Sequence, residues 1–326
     1  MPERPPEISA ICLCYNTGVS IIDTLNSIKH QRLKNFELIV CDDGSQDDSI
    51  AIIGKWIKEN QNSFEYPIQF IQNQINLGIP RTLNKALAIS QGKYYSLIGD
   101  DEWHPDYLKS LYRLIIETDD SIALVFADTD VVDYVTQAPL PAIDPIKSIR
   151  HHYPKSNELI TQVAPEVYRF NRGYLYECFF LFSPVIAFTT LIKTDIVKSM
   201  GCYNEAYTFE DLPMWLQIFQ KYDCIFLDRK LAKYNKRSHS VSMAITFPYQ
   251  ESILKILLHQ LDTNKIDAGN SFVRNKIVNE FYALIQTWKR DKLKYAPALH
   301  AITRHCRRYY PSSLPRFLKI LWKNRR

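Results

Sequence analysis

At 326 residues, 46% of them apolar, the chain is long enough for one large domain or two of ordinary size and too apolar for disorder to dominate. No stretch approaches the roughly 20 apolar residues that cross a bilayer, and MPERPPE lacks the basic-then-apolar order of a secretion signal, so a cytoplasmic protein is expected. The net charge of +5 is uneven: residues 271–326 hold fourteen Lys and Arg against two acids, which is +12 and leaves the rest at −7.

Along the first 130 residues, apolar β-like runs at 8–14, 36–41, 68–72, 94–98 and 122–127 alternate with helix-period segments such as the one holding Ile21, Leu25 and Ile28. That alternation predicts an α/β domain built on a largely parallel sheet, whose ligands bind beyond the carboxyl ends of the strands. Residues 134–182 are rich in Pro and aromatics and show no clean period. From Phe188 the pattern returns as a strand-like FTTLI, a short helix closed near Gly201, and a helix after Asp211 with Leu212, Trp215, Leu216 and Phe219 on one face. Beyond about 250 the chain reads as helical. Seven scattered cysteines without a C-x-x-C spacing read as reduced, buried thiols.

None of the nine glycines forms G-x-G or a G-K-[ST] phosphate loop, which excludes the dinucleotide and P-loop readings. A phosphorylated ligand would need its charge met otherwise, and a metal held by carboxylates is the natural candidate. Acidic clusters stand at three places that suit this chemistry. Asp42 and Asp43 follow the second strand; Asp100, Asp101 and Glu102 follow the fourth; Glu210 and Asp211 precede Leu212-Pro213 at a helix start. Each also has an ordinary reading, as turn residues or helix caps.

In order, the motifs resemble the family 2 glycosyltransferases, inverting enzymes of the GT-A fold that use nucleotide sugars. The resemblance is carried by ISAICLCYN, FELIVCDDGSQDDS, NLGIPRTLNKAL, QGKYYSLIGDDEWHPDYL, GCYNEAYTFEDLPMWLQIF and YNKRSHSVS, and spans about residues 8–242. It implies a Rossmann-like nucleotide-binding sheet with helices on both faces, plus a helical C-terminal extension. The implied division is a GT-A domain over 1–245, with a nucleotide-sugar part at about 1–133 and an acceptor part at about 134–245, then a basic extension over 246–326.

By the same resemblance, Tyr15, Asn16, Asp42 and Asp43 surround the nucleotide and Asp100 ligates Mg²⁺ or Mn²⁺ on its diphosphate. Asp101 stands beside that ion, Asp211 is the general base with Glu210 next to it, and Arg237 and His239 approach the diphosphate, His239 as a further metal ligand. Two departures mark the chain: Leu13 where the family commonly has Pro, and Ile98 where it has Asp. Anchoring on Trp103-His104-Pro105 leaves the acidic stretch one residue short, so Asp101 and Glu102 compete with Asp100 as the ligand. The expected partners are a nucleotide-sugar donor and a saccharide or lipid-linked acceptor, in polysaccharide or glycolipid synthesis. Aromatics between Tyr168 and Phe182 suit either a sugar-acceptor wall or core packing. A basic amphipathic stretch, PSSLPRFLKILWKNRR at 311–326, suits an anionic membrane surface and hence a peripheral position on the inner face of the membrane. No nucleic-acid motif accompanies the charge. The competing classes are a nucleotidyltransferase and a non-catalytic sugar-nucleotide-binding relative.

Overall fold

The computed structural model describes residues 4–142, 144–152, 156–179, 183–237, 246–263, 271–288 and 292–310. The chain divides into two compact units, residues 1–237 and 238–326. The first opens with β1 (Ile8–Cys14), α1 (Ile21–Lys29), β2 (Phe36–Asp42), α2 (Ser49–Asn60), β3 (Gln69–Gln72), α3 (Ile79–Ile89) and β4 (Tyr94–Ile98). It continues with β5 (Glu102–Trp103), α4 (Tyr107–Ile115), β6 (Ile122–Asp133), α5 (Pro145–His152), α6 (Ser156–Leu159), β7 (Ile160–Ala164), β8 (Val167–Phe170) and α7 (Arg172–Cys178). β9 (Thr190–Lys193), α8 (Thr194–Ser199), α9 (Asp211–Ile218) and β10 (Asp223–Lys236) complete it.

The sheet runs β3-β2-β1-β4-β9-β6-β10-β8-β7, with β5 paired to β10 off that path. Its first four strands are all parallel, Ile8–Cys14 of β1 matching Phe36–Asp42 of β2 residue for residue. β9 then enters antiparallel to both β4 and β6, so the second half is mixed. The strand order reverses between β1 and β4, and in open α/β sheets the crevice at such a reversal is where ligands bind.

The core follows from the sequence periods. Ile8, Ala10 and Cys12 of β1 pack with Leu38 and Val40 of β2 against the predicted α1 stripe of Ile21, Leu25 and Ile28, all buried. A buried aliphatic of this kind contributes about 1.5–3 kcal/mol through desolvation. Trp103 and Tyr107 stack at 4.6 Å and close the layer beside β5.

Two outcomes differ from the sequence reading. The aperiodic stretch 134–182 contains two short strands and three helices, and of the two readings of its aromatics Phe170, Tyr176 and Phe179 follow core packing. Phe170 is fully buried 5.7 Å from Phe126, and Phe179 stacks on Phe219 at 5.4 Å. Phe180 and Phe182 lie outside the described residues. The fourteen-residue β10 has no counterpart among the expected strands: its register against β6 shifts three times between Asp223 and Ala232, and each shift breaks the two-residue period that marks a strand. None of the seven cysteines forms a disulfide, and six of them are buried.

Within the second unit, α10 (Phe247–Asp262), α11 (Ser271–Trp288) and α12 (Lys292–Tyr309) form the described part of the expected helical extension. Each carries an apolar face, with Leu254, Leu258, Ile277, Phe281, Leu284 and Cys306 fully buried. Among the described residues no helix is long and apolar enough to cross a membrane. Residues 311–326, expected to meet a membrane surface, lie outside them.

Candidate functional site

The loops leaving the carboxyl ends of β2 and β3 are tied to each other by buried carboxylates. Asp42 accepts from the backbone N–H of Gly44 at 3.1 Å and of Ser45 at 2.8 Å, and from Ser45 Oγ at 2.5 Å. Asp43 accepts from Asn73 Nδ2, Leu77 N and Thr82 Oγ1 on one oxygen and from Gly78 N on the other, all within 2.9 Å. Both side chains point into the protein and are almost wholly buried. They brace the turns at 43–48 and 73–78, and the turns rather than the carboxylates face outward.

Gly44 shows why the turn sequence is D-D-G. Its φ of +76° is a left-handed conformation, and a Cβ there would lie 2.5 Å from the carbonyl carbon of Ile75. Asn16, also left-handed at φ 51°, accepts from Gln46 N through Oδ1, while its own N–H donates to Ser45 Oγ. The β1 loop is thereby fastened to the β2 loop, and Tyr15 at their junction stays 46% exposed, a ring available for stacking.

At the end of β4 the three consecutive acids separate by environment. Asp101 is buried and accepts from the backbone N–H of Asn235 at 2.9 Å. Burial, and then the neighbouring charge of Asp100, pushes its carboxyl well above the usual range. Glu102 pairs with Lys233 at 2.5 Å and accepts from Asn235 Nδ2 at 3.1 Å. These two acids hold the last turn of β10, and β10 in turn delivers Arg237. Arg237 lies with its guanidinium 3.8 Å above the Tyr134 ring, donates to Ser20 Oγ and to the carbonyl of Asp100, and sets Nε 3.0 Å from Asp100 Oδ2.

Asp100 and Glu102 keep side-chain exposure, 36% and 29%, each with one cation beside it, whereas Asp101 is buried. For a hard divalent ion, which needs only one or two carboxylates when phosphate oxygens complete its shell, Asp100 is a fitting ligand and Asp101 is not. No ready-made group of three or more His, Cys, Asp or Glu side chains occurs among the described residues, and His239 lies outside them.

The Glu210–Asp211 pair begins α9, but neither carboxylate makes the capping bond expected from sequence. Glu210 occupies the N-cap position without a side-chain cap, and Asp211 Oδ1 accepts from the adjacent Leu212 N at 2.6 Å. Both remain partly accessible to solvent while surrounded by protein. Burial, then the charge of Asp211, pushes Glu210 up to about 8, and burial raises Asp211 as well.

Three hydrogen bonds through Tyr203 fasten the loop that carries this pair to α3 and β4. Asn84 of α3 makes a reciprocal pair with the Tyr203 backbone, accepting from its N–H and donating to its carbonyl at 2.9 Å each. The hydroxyl of Tyr203 meets that of Tyr95 on β4 at 2.6 Å, fully buried. Asp100 and the Glu210–Asp211 pair therefore hang from one strand, β4. Sequence reasoning named neither Asn84 nor Tyr203, Ser20, Tyr134 or Asn235. Each makes its contact with a residue far along the chain, and no local spacing signals such a contact.

The glycosyl transferase family 2 profile matches residues 9–179, more than half of the chain. The glucosyltransferase WfaP of Escherichia coli, named as acting with UDP-Glc on alpha-D-GlcNAc-diphosphoundecaprenol, is 28% identical over 66% of this chain and 70% of its own. Other bacterial relatives, EpsH of Bacillus subtilis among them, match over 123 residues, so the chain spans about a third of their length. Among solved structures, TarS residues 1–349 of S. aureus in complex with UDP-GlcNAc superposes with a TM-score of 0.60 over 98% of this chain and 88% of that one, at 16% identity. The mannosyltransferase PcManGT of Pyrobaculum calidifontis, in complex with GDP-Man and Mn²⁺, gives 0.58 over 99% and 88%, at 13% identity. These likenesses are to the GT-A fold, and with the profile match and the β4-centred site they lead to one conclusion: the chain belongs to glycosyl transferase family 2.

Proposed function

We propose that the chain transfers a sugar from a nucleotide-sugar donor to an acceptor hydroxyl in a single displacement with inversion. The observation that carries this reading is the solvent-reachable Glu210–Asp211 pair, on a loop tethered through Tyr203 to α3 at Asn84 and to β4, the strand that leads into Asp100. Asp211 accepts the proton of the attacking hydroxyl. A carboxylate ordinarily too weak a base for this task near neutral pH is made stronger by its surroundings. Glu210, beside it, keeps the proton affinity of the pair high.

On the donor side, the turns at 43–48 and 73–78, braced by Asp42 and Asp43, offer backbone groups and the Tyr15 ring to the nucleotide, and Asn16 holds them in register. Asp100 would hold the Mg²⁺ or Mn²⁺, which when bound offsets charge on the leaving nucleoside diphosphate. Arg237, fixed by Ser20 and Tyr134, presents its positive charge to the same diphosphate. Asp101 and Glu102 act as positioning residues for Arg237. The WfaP likeness supports a UDP-sugar donor and a lipid-linked acceptor, and hence a part in polysaccharide or glycolipid synthesis. Such an acceptor would bring the basic 311–326 stretch to an anionic membrane, as a peripheral protein on its inner face.

The test is a nucleotide-sugar screen followed to nucleoside diphosphate release. Asp211→Asn retains donor binding and loses turnover by a factor of about 10² or more. Unchanged turnover in that variant rejects the assignment. Donor binding with no turnover in the unmodified chain, across a panel of acceptors, favours a sugar-nucleotide-binding relative without catalysis.

A further inference from the structure

At the amino ends of the parallel strands, opposite the edge that carries the site above, the first unit has a second concavity of about 450 Å³. Its walls carry Arg4, Arg32, Lys34, Lys109 and Arg113 against one acid, Glu65. Arg4 leads into β1, Lys34 into β2 and Glu65 into β3, while Lys109 and Arg113 stand one turn apart on α4.

Little inside the protein answers this charge. Arg32 pairs with Asp106 at 2.5 Å, and Lys34 donates to a backbone carbonyl at 3.3 Å. Among the described residues, Arg4, Lys109 and Arg113 have no carboxylate within 4.0 Å. Lys109 and Arg113 are like charges a single helical turn apart, and the carboxylate near them on their own helix is Asp106, beside Lys109 and already paired with Arg32. The floor is apolar: Tyr112 is half-buried and Ile116 is 50% exposed, the latter without a core role. A cationic rim over an apolar floor matches a ligand with a multiply charged phosphate end and an uncharged body, and the volume lies within the range of small-molecule sites. Three of the cations are arginines, whose planar forks suit phosphate oxygens.

We propose that this pocket binds anionic phosphate groups, supplied either by lipid headgroups on an anionic surface or by a free oligophosphate. It is separate from the donor site, because it sits at the opposite ends of the same strands. It requires no metal, since the protein itself supplies the countercharge.

The experiment uses the full chain without divalent metal and inorganic pyrophosphate as the probe, read by calorimetry. In parallel, sedimentation is compared with phosphatidylglycerol and with phosphatidylcholine vesicles. Lys109→Glu with Arg113→Glu lowers affinity for pyrophosphate, or the fraction sedimenting with phosphatidylglycerol, at least tenfold. Arg4→Ala with Lys34→Ala, on the facing walls, lowers it in the same direction without reversing charge on α4. Thermal unfolding shows that both variants fold. Loss confined to the phosphatidylglycerol arm identifies a lipid headgroup; loss confined to the pyrophosphate arm identifies a free oligophosphate. Binding unchanged in both arms for both variants overturns the proposal, as does equal sedimentation with the two vesicle types together with an unchanged pyrophosphate affinity.

Discussion

Glu210 binds its proton far more tightly than an ordinary carboxyl, because burial disfavours its charge and Asp211 adds a like one. The consequence for stability has a definite sign. In the folded chain the pair stays protonated at pH values where the unfolded chain has lost those protons. The stabilising preference for the protonated form is complete below the ordinary carboxylate range, and it is lost as pH rises from there through about 8. The same rise in pH generates the base. Glu210→Gln therefore does two things: its unfolding midpoint lies a few degrees above that of the unmodified chain at pH 8–9 but not at pH 5, and the acid limb of its kcat/KM profile moves below about 8. Parallel melting curves with the same midpoint difference at both pH values would show that Glu210 is not the group titrating. The acidic clusters were all visible in the sequence, but their division of labour was not. Asp42, Asp43 and Asp101 have the same carboxylate as Asp100, and only burial and hydrogen-bond partners make three of them braces and one an outward-facing group.

Among the elements, α3 connects the two halves of the site. Thr82 near its start is held by Asp43, and Asn84 two residues on holds Tyr203, seven residues before Glu210. Removing the amide in Asn84→Ala loses both bonds to the Tyr203 backbone and one to Glu205, at a stability cost of about 1–3 kcal/mol. The larger effect falls on catalysis: kcat drops roughly 10- to 100-fold with little change in donor affinity, since misplacing a reacting group costs rate more than binding. A fall in donor affinity with kcat intact would place Asn84 on the donor side alone. β1, β2 and β4 were legible because each is a short apolar run buried on both faces, and α1 because its apolar spacing matches a helix. β10 was not, because its bulges interrupt the period, and its partner acids lie over 130 residues away.

For the whole molecule, the charge division sets the terms. The stretch 311–326 contributes five cations and no acid, and each Lys or Arg near an anionic surface is worth about 1 kcal/mol. Deleting these residues lowers partition onto phosphatidylglycerol vesicles at least about tenfold, with the difference shrinking as salt is added. Equal partition with and without them removes the proposed membrane role.

By itself the sequence determined the alternation of strand and helix, the absence of a glycine phosphate loop, and the identity of the acids that the site would draw on. These depend on local periodicity and residue type, which a linear chain carries openly. The tertiary structure alone decided which acid faces outward at β4, that Arg237 stands against it, and that Asn84 and Tyr203 tie the base-bearing loop to that strand. Those are contacts between residues roughly 110 to 140 positions apart, and a carboxylate's role there depends on solvent and partners that the fold brings to it.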